Sequence, residues 1–512
     1  MRRAVGDQGI GDFTALAGLA GAAAREGAAA IGINPLHALF PQDPARASPY
    51  QPSDRRFLDP LCIDVAAPPL PVEARLMGAA LAEAAPVFAA LAAEQLVAYP
   101  AVWEAKRRVL EAAFASLRPG PEFERFVAQG GDALLGFARF QAIAEIHGGD
   151  WRVWPAALRD PASPAAAAAA PPARVRFFLF LQWVADRQLA AAAAAAGGME
   201  IGLYRDLAVG AAPDGAEAWA AGGLLLHGVS VGAPPDPLGP EGQIWGLPPP
   251  DPRALRESGY ASFAALLRAN MRHAGALRID HVMGLGRLFL VPEGASGADV
   301  AYLSYPLDDL LGVLALESVR ARCLVVGEDL GTVPDGIRAA LAEHDVLSYQ
   351  VLRFAREWGQ LRPPSHYPVN AVACAATHDV ATIAGWWQGS DIDERAALGL
   401  LDAAAAEQER LARKAEKAEL LALLRAEGLA VEPEQELSGQ DLLVAVHALL
   451  ARTPCRLVLV QADDLAGEDV AVNLPGTDRE RPNWRRRLRV DVESLCGSGG
   501  VLAATREGQG TA

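Results

Sequence analysis

The stretch ALRIDHV (276–282) decides the fold of this chain. It follows a helix-like segment, ASFAALLRANMRHAG (261–275), and has the composition of a short buried strand. The strand nevertheless finishes in three polar residues, Arg278, Asp280 and His281. Because burying an unpaired charge is costly, we expect the end of this strand to open into a site that uses these groups.

Six further apolar runs end in polar or glycine-rich residues, and helical patterns separate them. They are AAIGINPLHALF (29–40), GMEIGLYRDLAV (198–209), CLVVGEDL (323–330), DVLSYQVLRF (345–354), AVACAATHD (371–379) and CRLVLVQADDL (455–465). Continuous apolar strands that alternate with helices are typical of a parallel sheet covered on both faces. Seven such units in 512 residues favour a (β/α)8 TIM barrel over an open doubly wound sheet. Neither a GxGxxG motif nor a Walker loop follows any of these strands, which argues against nucleotide binding.

The count of seven is one strand short of a closed barrel. The missing strand should precede GIGDF (9–13), where the chain has only eight residues. We therefore expect a (β/α)8 barrel with helical insertions whose first strand is missing or truncated at the N-terminus. A barrel that lacks one strand has two unpaired edges and an open core, so this form is expected to fold poorly.

The rest of the chain is organised around this predicted barrel. We assign residues 1–490 to one catalytic barrel and residues 491–512 to a C-terminal tail. Two helix-rich segments, at about 74–170 and about 390–430, are interpreted as insertions into the barrel. The second contains a run of charged residues, which predicts a solvent-exposed helix face.

Composition excludes several classes of protein. A hydrophobic content of 51% with 21% charged residues indicates a globular chain. The formal net charge of −16 argues against binding to nucleic acid or to an anionic membrane surface. Five scattered cysteines without a CxxC pair suit a reducing compartment, and the N-terminus MRRAVGDQGIGDF lacks a signal-peptide core. We therefore predict a cytoplasmic protein.

Three of the predicted strands deliver an acid to the same end of the barrel. Asp280 closes LRID, Glu328 closes VVGE and Asp379 closes ATHD. In a barrel of this kind, residues at the carboxyl ends of the strands face the active site. Each acid taken alone could instead cap a helix or form a salt bridge. Three acids at three strand ends favour a metal site or glycoside chemistry.

The neighbours of these acids favour glycoside chemistry. A hard metal would need further oxygen ligands and zinc would need His or Cys, whereas Arg278 precedes Asp280 and His378 precedes Asp379. An arginine beside Asp280 favours the ionised form that a nucleophile requires. Glu328 has apolar neighbours and Asp329 next to it, which should raise its pKa as a general acid requires. A retaining glycosidase needs such a pair about 5 Å apart.

At this point the sequence resembles a known family, the 4-α-glucanotransferases (amylomaltases, or disproportionating enzymes), which are relatives of the α-amylases with a (β/α)8 barrel. The resemblance extends from about residue 9 to residue 490. The motifs that carry it are GIGDF (9–13), NPLHALFP (34–41), SPYQPSDRRFLDPL (48–61), IGLYRDLAVG (201–210), VGAPPDPLGPEGQIWGLPP (231–249), LRIDHVMG (277–284), GEDLG (327–331), ATHDVATIAGWW (376–387) and NLPGTDRERPNWRRRL (473–488).

The resemblance implies a role for each acid. Asp280 would be the nucleophile that forms a covalent glucosyl-enzyme, and Glu328 would be the acid/base. Asp379 would stabilise the oxocarbenium-like transition state and orient sugar hydroxyls. Arg278 and His378 are the companions expected in the family. No metal or cofactor is implied.

The resemblance also implies substrate-binding residues. Tyr50 in SPY would stack on the sugar next to the cleaved bond, and Asp206 in YRDLAVG falls where related enzymes keep another sugar-binding acid. The family places its substrate-covering loop at about 228–250. The prolines and glycines of 231–249 predict irregular structure there, and Trp245 offers a flat apolar face for a glucan.

Two further expectations come from the residues themselves. Trp386 and Trp387 follow ATHD and are predicted to lie in the core rather than to touch sugar. His281 directly follows the expected nucleophile, and we expect it to form a hydrogen bond that supports the site instead of taking part in catalysis.

The sequence thus predicts an enzyme that transfers α-1,4-glucan segments between maltooligosaccharides. One alternative is an α-amylase-like hydrolase of α-1,4-glucans. A second is a non-catalytic glucan-binding protein, which the missing strand makes conceivable. The three acids argue against the second alternative.

Overall fold

The structure, a computed structural model, describes residues 1–67, 74–117, 120–235, 242–294, 300–429, 439–497 and 500–509. The chain divides into two compact units, Met1–Ile337 and Arg338–Ala512. Each unit contains its own parallel sheet.

The strands of the first unit are β1 (Ala30–Gly32), β2 (His37–Ala38), β3 (Asp54–Leu58), β4 (Gly202–Leu207), β5 (Val229–Ala233), β6 (Gln243–Leu247), β7 (Ala276–Ile279), β8 (Arg287–Pro292), β9 (Ala301–Ser304) and β10 (Leu324–Gly327). Its helices are α1 (Phe13–Arg25), α2 (Ala74–Ala93), α3 (Tyr99–Ala115), α4 (Pro121–His147), α5 (Pro164–Ala169), α6 (Pro172–Ala195), α7 (Ala216–Ala221), α8 (Pro252–Glu257), α9 (Ala261–Met271) and α10 (Leu307–Ala321), with α11 (Ile337–Glu343) beginning at its last residue.

Four strands of this unit form a parallel sheet in the order β1-β4-β7-β10. All four residues of β7 are buried, as its continuous apolar run predicts for a strand covered on both faces. Gly275 brings β7 close to the segment before β4, because a Cβ at this position would lie 1.7 Å from the carbonyl oxygen of Ile201. Glycine is therefore required where β7 begins.

The segment 231–249, predicted to be irregular, contains regular structure at both ends. Strands β5 and β6 pair antiparallel, and together with β8 and β9 they form a sheet in the order β6-β5-β8-β9. The prediction was wrong because the prolines cluster between the strands, and Gly232 and Gly242 allow the close backbone approach that β5 and β6 need. Residues 236–241 of the predicted covering loop lie outside the described residues.

Helices α2 to α5 occupy the segment predicted as the first helical insertion, of which residues 118–119 lie outside the described residues. Helix α4 packs on α6, and α6 packs on α1. Asp12 caps the start of α1, because its side chain accepts a hydrogen bond from the backbone N–H of Ala15. The apolar residues of α1 that face inward are spaced at helical intervals and are buried, namely Phe13, Leu16, Leu19, Ala20 and Ala23.

The strands of the second unit are β11 (Ser348–Val351), β12 (Arg356–Glu357), β13 (Gln360–Leu361), β14 (Ala371–Cys374) and β15 (Leu457–Leu459). Its helices are α12 (Ile383–Gln388), α13 (Ser390–Ala397), α14 (Ala403–Ala426), α15 (Gly439–Ala451), α16 (Ala462–Leu465), α17 (Val492–Leu495) and α18 (Val501–Gln509). The parallel sheet has the order β11-β14-β15, and β12 pairs with β13.

A hydrophobic core joins this sheet to α12, α14 and α15. Trp386 is 3% exposed within that core, as predicted, and Trp387 is partly buried and packs against it. The charged run of the second predicted insertion forms α13 and α14. Most of its charged side chains are partly exposed and Arg413 is buried. The exposed ones are Asp393, Glu407, Arg410, Lys414 and Arg425. Part of the predicted C-terminal tail forms α18, which packs on α15, while residues 498–499 and 510–512 lie outside the described residues.

All seven predicted core strands are present, four in the sheet of the first unit and three in the sheet of the second. An α/β fold with parallel sheets is therefore confirmed, whereas closure into one barrel and loss of a first strand remain predictions. No helix among the described residues is both long and apolar enough to cross a membrane.

Candidate active site

Asp280 and Glu328 follow neighbouring strands of the first sheet in matching positions. The register of β7 and β10 pairs Ile279 with Gly327, so the two acids occupy the next position on each strand. Backbone bonds continue past the strand ends, since Glu328 N donates to Ile279 O at 3.0 Å and Val282 N donates to Glu328 O at 3.0 Å. Matching positions on adjacent parallel strands point their side chains to the same side of the sheet.

Glu328 is buried and its carboxylate accepts two backbone hydrogen bonds. Oε2 accepts from His281 N at 3.0 Å and Oε1 accepts from Leu330 N at 2.6 Å. Burial raises the pKa of Glu328 to about 7, the positive charge of Arg278 opposes this rise, and Asp280 adds to it. The pKa of Glu328 is therefore raised, as predicted. The carboxylate that contributes to the rise is Asp280, whereas the prediction had named Asp329.

Arg278 connects two carboxylates on adjacent strands. Its Nη1 donates to Asp206 at 2.8 and 3.0 Å, and its Nη2 lies 2.9 Å from Asp280 Oδ1. Burial opposes the charge of Arg278, but the carboxylates of Asp206 and Asp280 raise its pKa well above the ordinary value. This guanidinium therefore stays charged and supplies the positive neighbour predicted for Asp280.

Tyr50 extends this network from the segment before β3. Its hydroxyl donates to Asp206 Oδ2 at 2.6 Å. Burial and the charge of Asp206 both raise the pKa of Tyr50, so the phenol keeps its proton. Tyr50, Asp206, Arg278 and Asp280 thus form one continuous hydrogen-bonded chain, while stacking of Tyr50 on a sugar remains a prediction.

Trp245 lies on β6 next to the residue that follows Asp280. Its ring meets the His281 ring edge to face, with centroids 5.2 Å apart and an interplanar angle of 82°. Gln51 Nε2 donates to Trp245 O at 3.1 Å, which holds the hairpin near the Tyr50 segment. His281 has a left-handed φ of 46°, and burial lowers the pKa of its ring to about 4, so the ring is neutral. As expected, His281 supports the site, although it does so through its backbone N–H.

Asp379 lies in the second unit, beyond the end of β14. Its side chain is 41% exposed and its backbone N–H donates to Thr377 Oγ1 at 3.2 Å. Asn473 Nδ2 donates to Oδ1 at 2.7 Å, and His378 Nε2 lies 3.2 Å from Oδ2. Each carboxylate oxygen therefore has a polar partner.

The structure brings together six of the predicted residues in the first unit, Tyr50, Asp206, Trp245, Arg278, Asp280 and Glu328. In the second unit it brings together His378 and Asp379. Sequence reasoning missed Asn473 and Trp484, whose ring lies 5.4 Å from that of His378. Both belong to the segment NLPGTDRERPNWRRRL, which was noted only as a motif. Among the described residues, no group of three or more His, Cys, Asp or Glu side chains could hold a metal ion.

An α/β fold with a buried acid and an arginine-paired acid at adjacent strand ends has the pair of carboxyl groups that cleavage of a glycosidic bond requires. Comparison with known proteins then gives the family. The sequence profile of the family described as 4-alpha-glucanotransferase matches residues 3–492. The 4-alpha-glucanotransferase of Haemophilus influenzae is 37% identical over 94% of this chain and 73% of that protein. The enzyme of the same name from Mycobacterium tuberculosis is 38% identical, over 93% of this chain and 68% of that protein.

Solved structures agree with this result. The crystal structure of amylomaltase from Corynebacterium glutamicum superposes with a TM-score of 0.88 and 33% sequence identity. The match covers 99% of this chain and 73% of that one. Amylomaltase from Streptococcus agalactiae, solved in complex with acarbose, has the same fold, with a TM-score of 0.76 and 20% identity over 98% of this chain and 95% of that one.

The chain belongs to the 4-alpha-glucanotransferase family. It is a glycosyltransferase-type enzyme with the amylomaltase activity of glucan metabolism.

Proposed function

We propose that the enzyme transfers α-1,4-glucan segments between maltooligosaccharides by a retaining double displacement. Asp280 attacks the anomeric carbon of the donor, and the glycosidic C–O bond breaks as Glu328 gives its proton to the leaving oxygen. The result is a glucosyl ester on Asp280. Glu328 then takes the proton of an incoming sugar 4-OH, whose oxygen bonds to the anomeric carbon and releases Asp280.

The observation that carries this proposal is the matched placement of Asp280 and Glu328 on β7 and β10. Adjacent strands lie about 4.8 Å apart, which suits the ~5 Å separation of a retaining pair. An inverting pair needs about 6.5 Å or more, so that a water fits between the carboxylates.

The electrostatics of the two acids support different roles for them. Arg278 contacts Asp280 directly, which favours a carboxylate nucleophile. Glu328 has its pKa raised to about 7, so a substantial fraction of it is protonated near neutral pH and can act as the acid. The two neighbouring acids thus have different environments, as their different roles require.

We assign the remaining residues to the substrate. Asp379 and His378 bind sugar hydroxyls, and Asp379 stabilises the positive charge that develops on the donor sugar. Tyr50 and Trp245 offer aromatic faces, and Asp206 acts on the glucan through its network with Tyr50 and Arg278. We propose the (β/α)8 barrel expected from the sequence, an architecture that holds its active site at the carboxyl ends of the strands.

Transfer rather than hydrolysis requires a sugar 4-OH held near the anomeric carbon and limited access for water. The β5–β6 hairpin with Trp245 is the candidate cover, because its Trp245 contacts the residue next to Asp280. The chemistry of Asp280 and Glu328 is the same for both acceptors, so the cover and the acceptor subsites decide between them.

Incubation with maltotriose tests the proposal. A ladder of longer oligosaccharides with new α-1,4 linkages, detected by NMR and mass spectrometry, is the expected result. Glucose and maltose alone would indicate the hydrolase, and a new linkage of β configuration would contradict retention. Asp280→Asn is the matched control, and an unchanged ladder from that variant would mean that the chain carries no catalysis at this residue.

A further inference from the structure

Two residues of one loop in the second unit act on the Asp379 carboxylate, Asn473 by a direct hydrogen bond and Trp484 through the ring of His378. We propose that Asn473 is a positioning residue for the transfer reaction, which fixes the Asp379 carboxylate in one orientation and keeps it available to the sugar. The inference rests on the proposed role of Asp379. It concerns the loop 472–484, which begins next to Asn473 and ends at Trp484.

The direct contact is short and comes from a neutral donor. Asn473 Nδ2 donates to Asp379 Oδ1 at 2.7 Å, across 94 positions of sequence. The Asp379 side chain is 41% exposed, and this contact restricts the rotamers open to its carboxylate. A charge-assisted hydrogen bond at this distance is strong enough to select one rotamer.

The second oxygen is controlled from the other end of the same loop. His378 Nε2 lies 3.2 Å from Asp379 Oδ2, and the His378 ring packs on Trp484 with centroids 5.4 Å apart. Trp484 has a left-handed φ of 62°, which is uncommon for a bulky residue and persists only where the surroundings hold it.

Backbone contacts on either side of Asn473 close the loop. Trp484 N donates to Val472 O at 3.0 Å, and Leu474 N donates to Asn483 Oδ1 at 3.1 Å. The residues directly before and after Asn473 are therefore each bonded to the far end of the loop. The contact with Asp379 is thus built by a closed loop and does not depend on a flexible side chain alone.

Further bonds brace this loop from within and from a neighbouring helix. Asn483 Nδ2 donates to Thr477 Oγ1 at 2.8 Å, and Thr477 Oγ1 donates to Leu474 O at 2.6 Å. Arg481 Nε donates to Glu394 of α13 at 2.9 Å and Nη1 donates to Asn483 Oδ1 at 2.6 Å. These bonds leave the loop few ways to move Asn473.

The segment that carries Asp379 is fixed at both ends by residues that follow β15. Gln461 Nε2 donates to Ala376 O at 2.9 Å, and Asp464 Oδ1 accepts from Ile383 N at 2.8 Å. The backbone around Asp379 is thus anchored before and after it. The hydrogen bond from Asn473 restricts the side-chain rotation of Asp379 that remains.

Asn473→Asp tests the inference, because it keeps the size of the side chain but replaces the donor with a second acid. We expect kcat for maltotriose disproportionation to fall about 10- to 100-fold, since a charge-assisted bond is lost. The acidic limb of the pH–kcat profile should also move to higher pH, because a neighbouring carboxylate disfavours the charged form of Asp379. His378, the titratable group in contact with Asp379, is unchanged in this variant.

Asn370→Asp is the matched control. Asn370 directly precedes β14, at the opposite end of the strand from Asp379, and its Oδ1 accepts from Arg456 Nε at 3.2 Å. The same change of amide to acid at this position should leave kcat and the pH profile unaltered. Thermal unfolding of Asn473→Asp and Asn370→Asp shows whether each variant is folded. If Asn473→Asp is not folded, Asn473→Ala replaces it in the test.

Wild-type kcat and an unshifted acidic limb in folded Asn473→Asp, or wild-type kcat in folded Asn473→Ala, would overturn the inference. Asp379→Asn, measured beside them, separates this result from failure of the proposed function. If Asp379→Asn is inactive while both Asn473 variants behave as wild type, only the positioning role is wrong. If Asp379→Asn keeps the wild-type rate, the proposed role of Asp379 itself is wrong.

Discussion

The two units present their acids in different ways. In the first unit, Asp280 and Glu328 directly follow strands that are paired in register, and the charge that accompanies them comes from Arg278 on β7 itself. In the second unit, Asp379 lies five positions beyond the end of β14, is 41% exposed, and is held by Asn473 from a distant loop. Strand geometry fixes the first pair, whereas loop contacts fix the other acid.

This difference has an energetic consequence. The carboxylates of Asp206 and Asp280 are largely removed from solvent and share one guanidinium, so that the network is costly to break. Asp379 keeps access to solvent, so its partners affect the orientation of its carboxylate more than the stability of the fold. The first unit should therefore respond to mutation in both folding and activity, and the Asp379 region mainly in activity.

The largest expected effect is on catalysis in the first unit. Asp280→Asn removes the nucleophile, and we expect transferase kcat to fall by about 10⁴-fold or more, as for other covalent catalysts. The disproportionation of maltotriose measures it. Retention of more than a few per cent of the wild-type rate would exclude Asp280 as the residue that forms the covalent intermediate.

The next effect is on stability and compares the units directly. Arg278→Ala leaves the buried Asp206 and the partly buried Asp280 without their shared cation, and we expect the free energy of unfolding to fall by about 3–5 kcal/mol. Asp379→Asn should change it by less than about 1 kcal/mol, because an exposed charge contributes little. Denaturant unfolding of both variants makes the comparison, and equal losses would contradict the contrast between the two regions.

A smaller effect is expected from pH. The pKa of Glu328 is raised to about 7, and the first step needs its proton. The basic limb of the kcat/KM profile should therefore begin near pH 7. Above it, the rate should fall about tenfold per pH unit as the acid is lost. A basic limb well above 8 would mean that another group is the acid.

The smallest effect concerns the end of the network. Tyr50→Phe keeps the ring but removes the hydrogen bond to Asp206, and we expect kcat/KM to fall about tenfold, equivalent to one lost hydrogen bond to a charged group. Tyr50→Leu, which also removes the ring, should cost more if the ring contacts sugar. An equal loss in both variants would argue against stacking at this position.

The same contrast explains what the sequence predicted. Each core strand was recognised from its continuous apolar run, because burial on both faces imposes that composition. Asp280 and Glu328 were found because a polar residue at the end of such a run has few structural reasons to be there. The partners Arg278 and His378 were found because they lie within two positions of an acid.

The contacts that were missed all depend on tertiary structure. Asn473 meets Asp379 across 94 positions, and no local pattern marks that pair. The pairing of β5 with β6 was missed because prolines and glycines in the connection concealed two short strands. The contribution of Asp280 to the pKa of Glu328 depends on the register of β7 and β10, which a single sequence does not contain.

The most direct test of the account is to trap the covalent intermediate. In Glu328→Gln, α-maltosyl fluoride should still glycosylate the enzyme, since fluoride leaves without an acid, while release to an acceptor is slowed by loss of the base. Intact-mass and peptide mass spectrometry should then locate a maltosyl adduct on Asp280. An adduct on another residue, or turnover of the fluoride with no adduct at Asp280, would contradict the claim that adjacent strand ends supply the nucleophile and the acid/base.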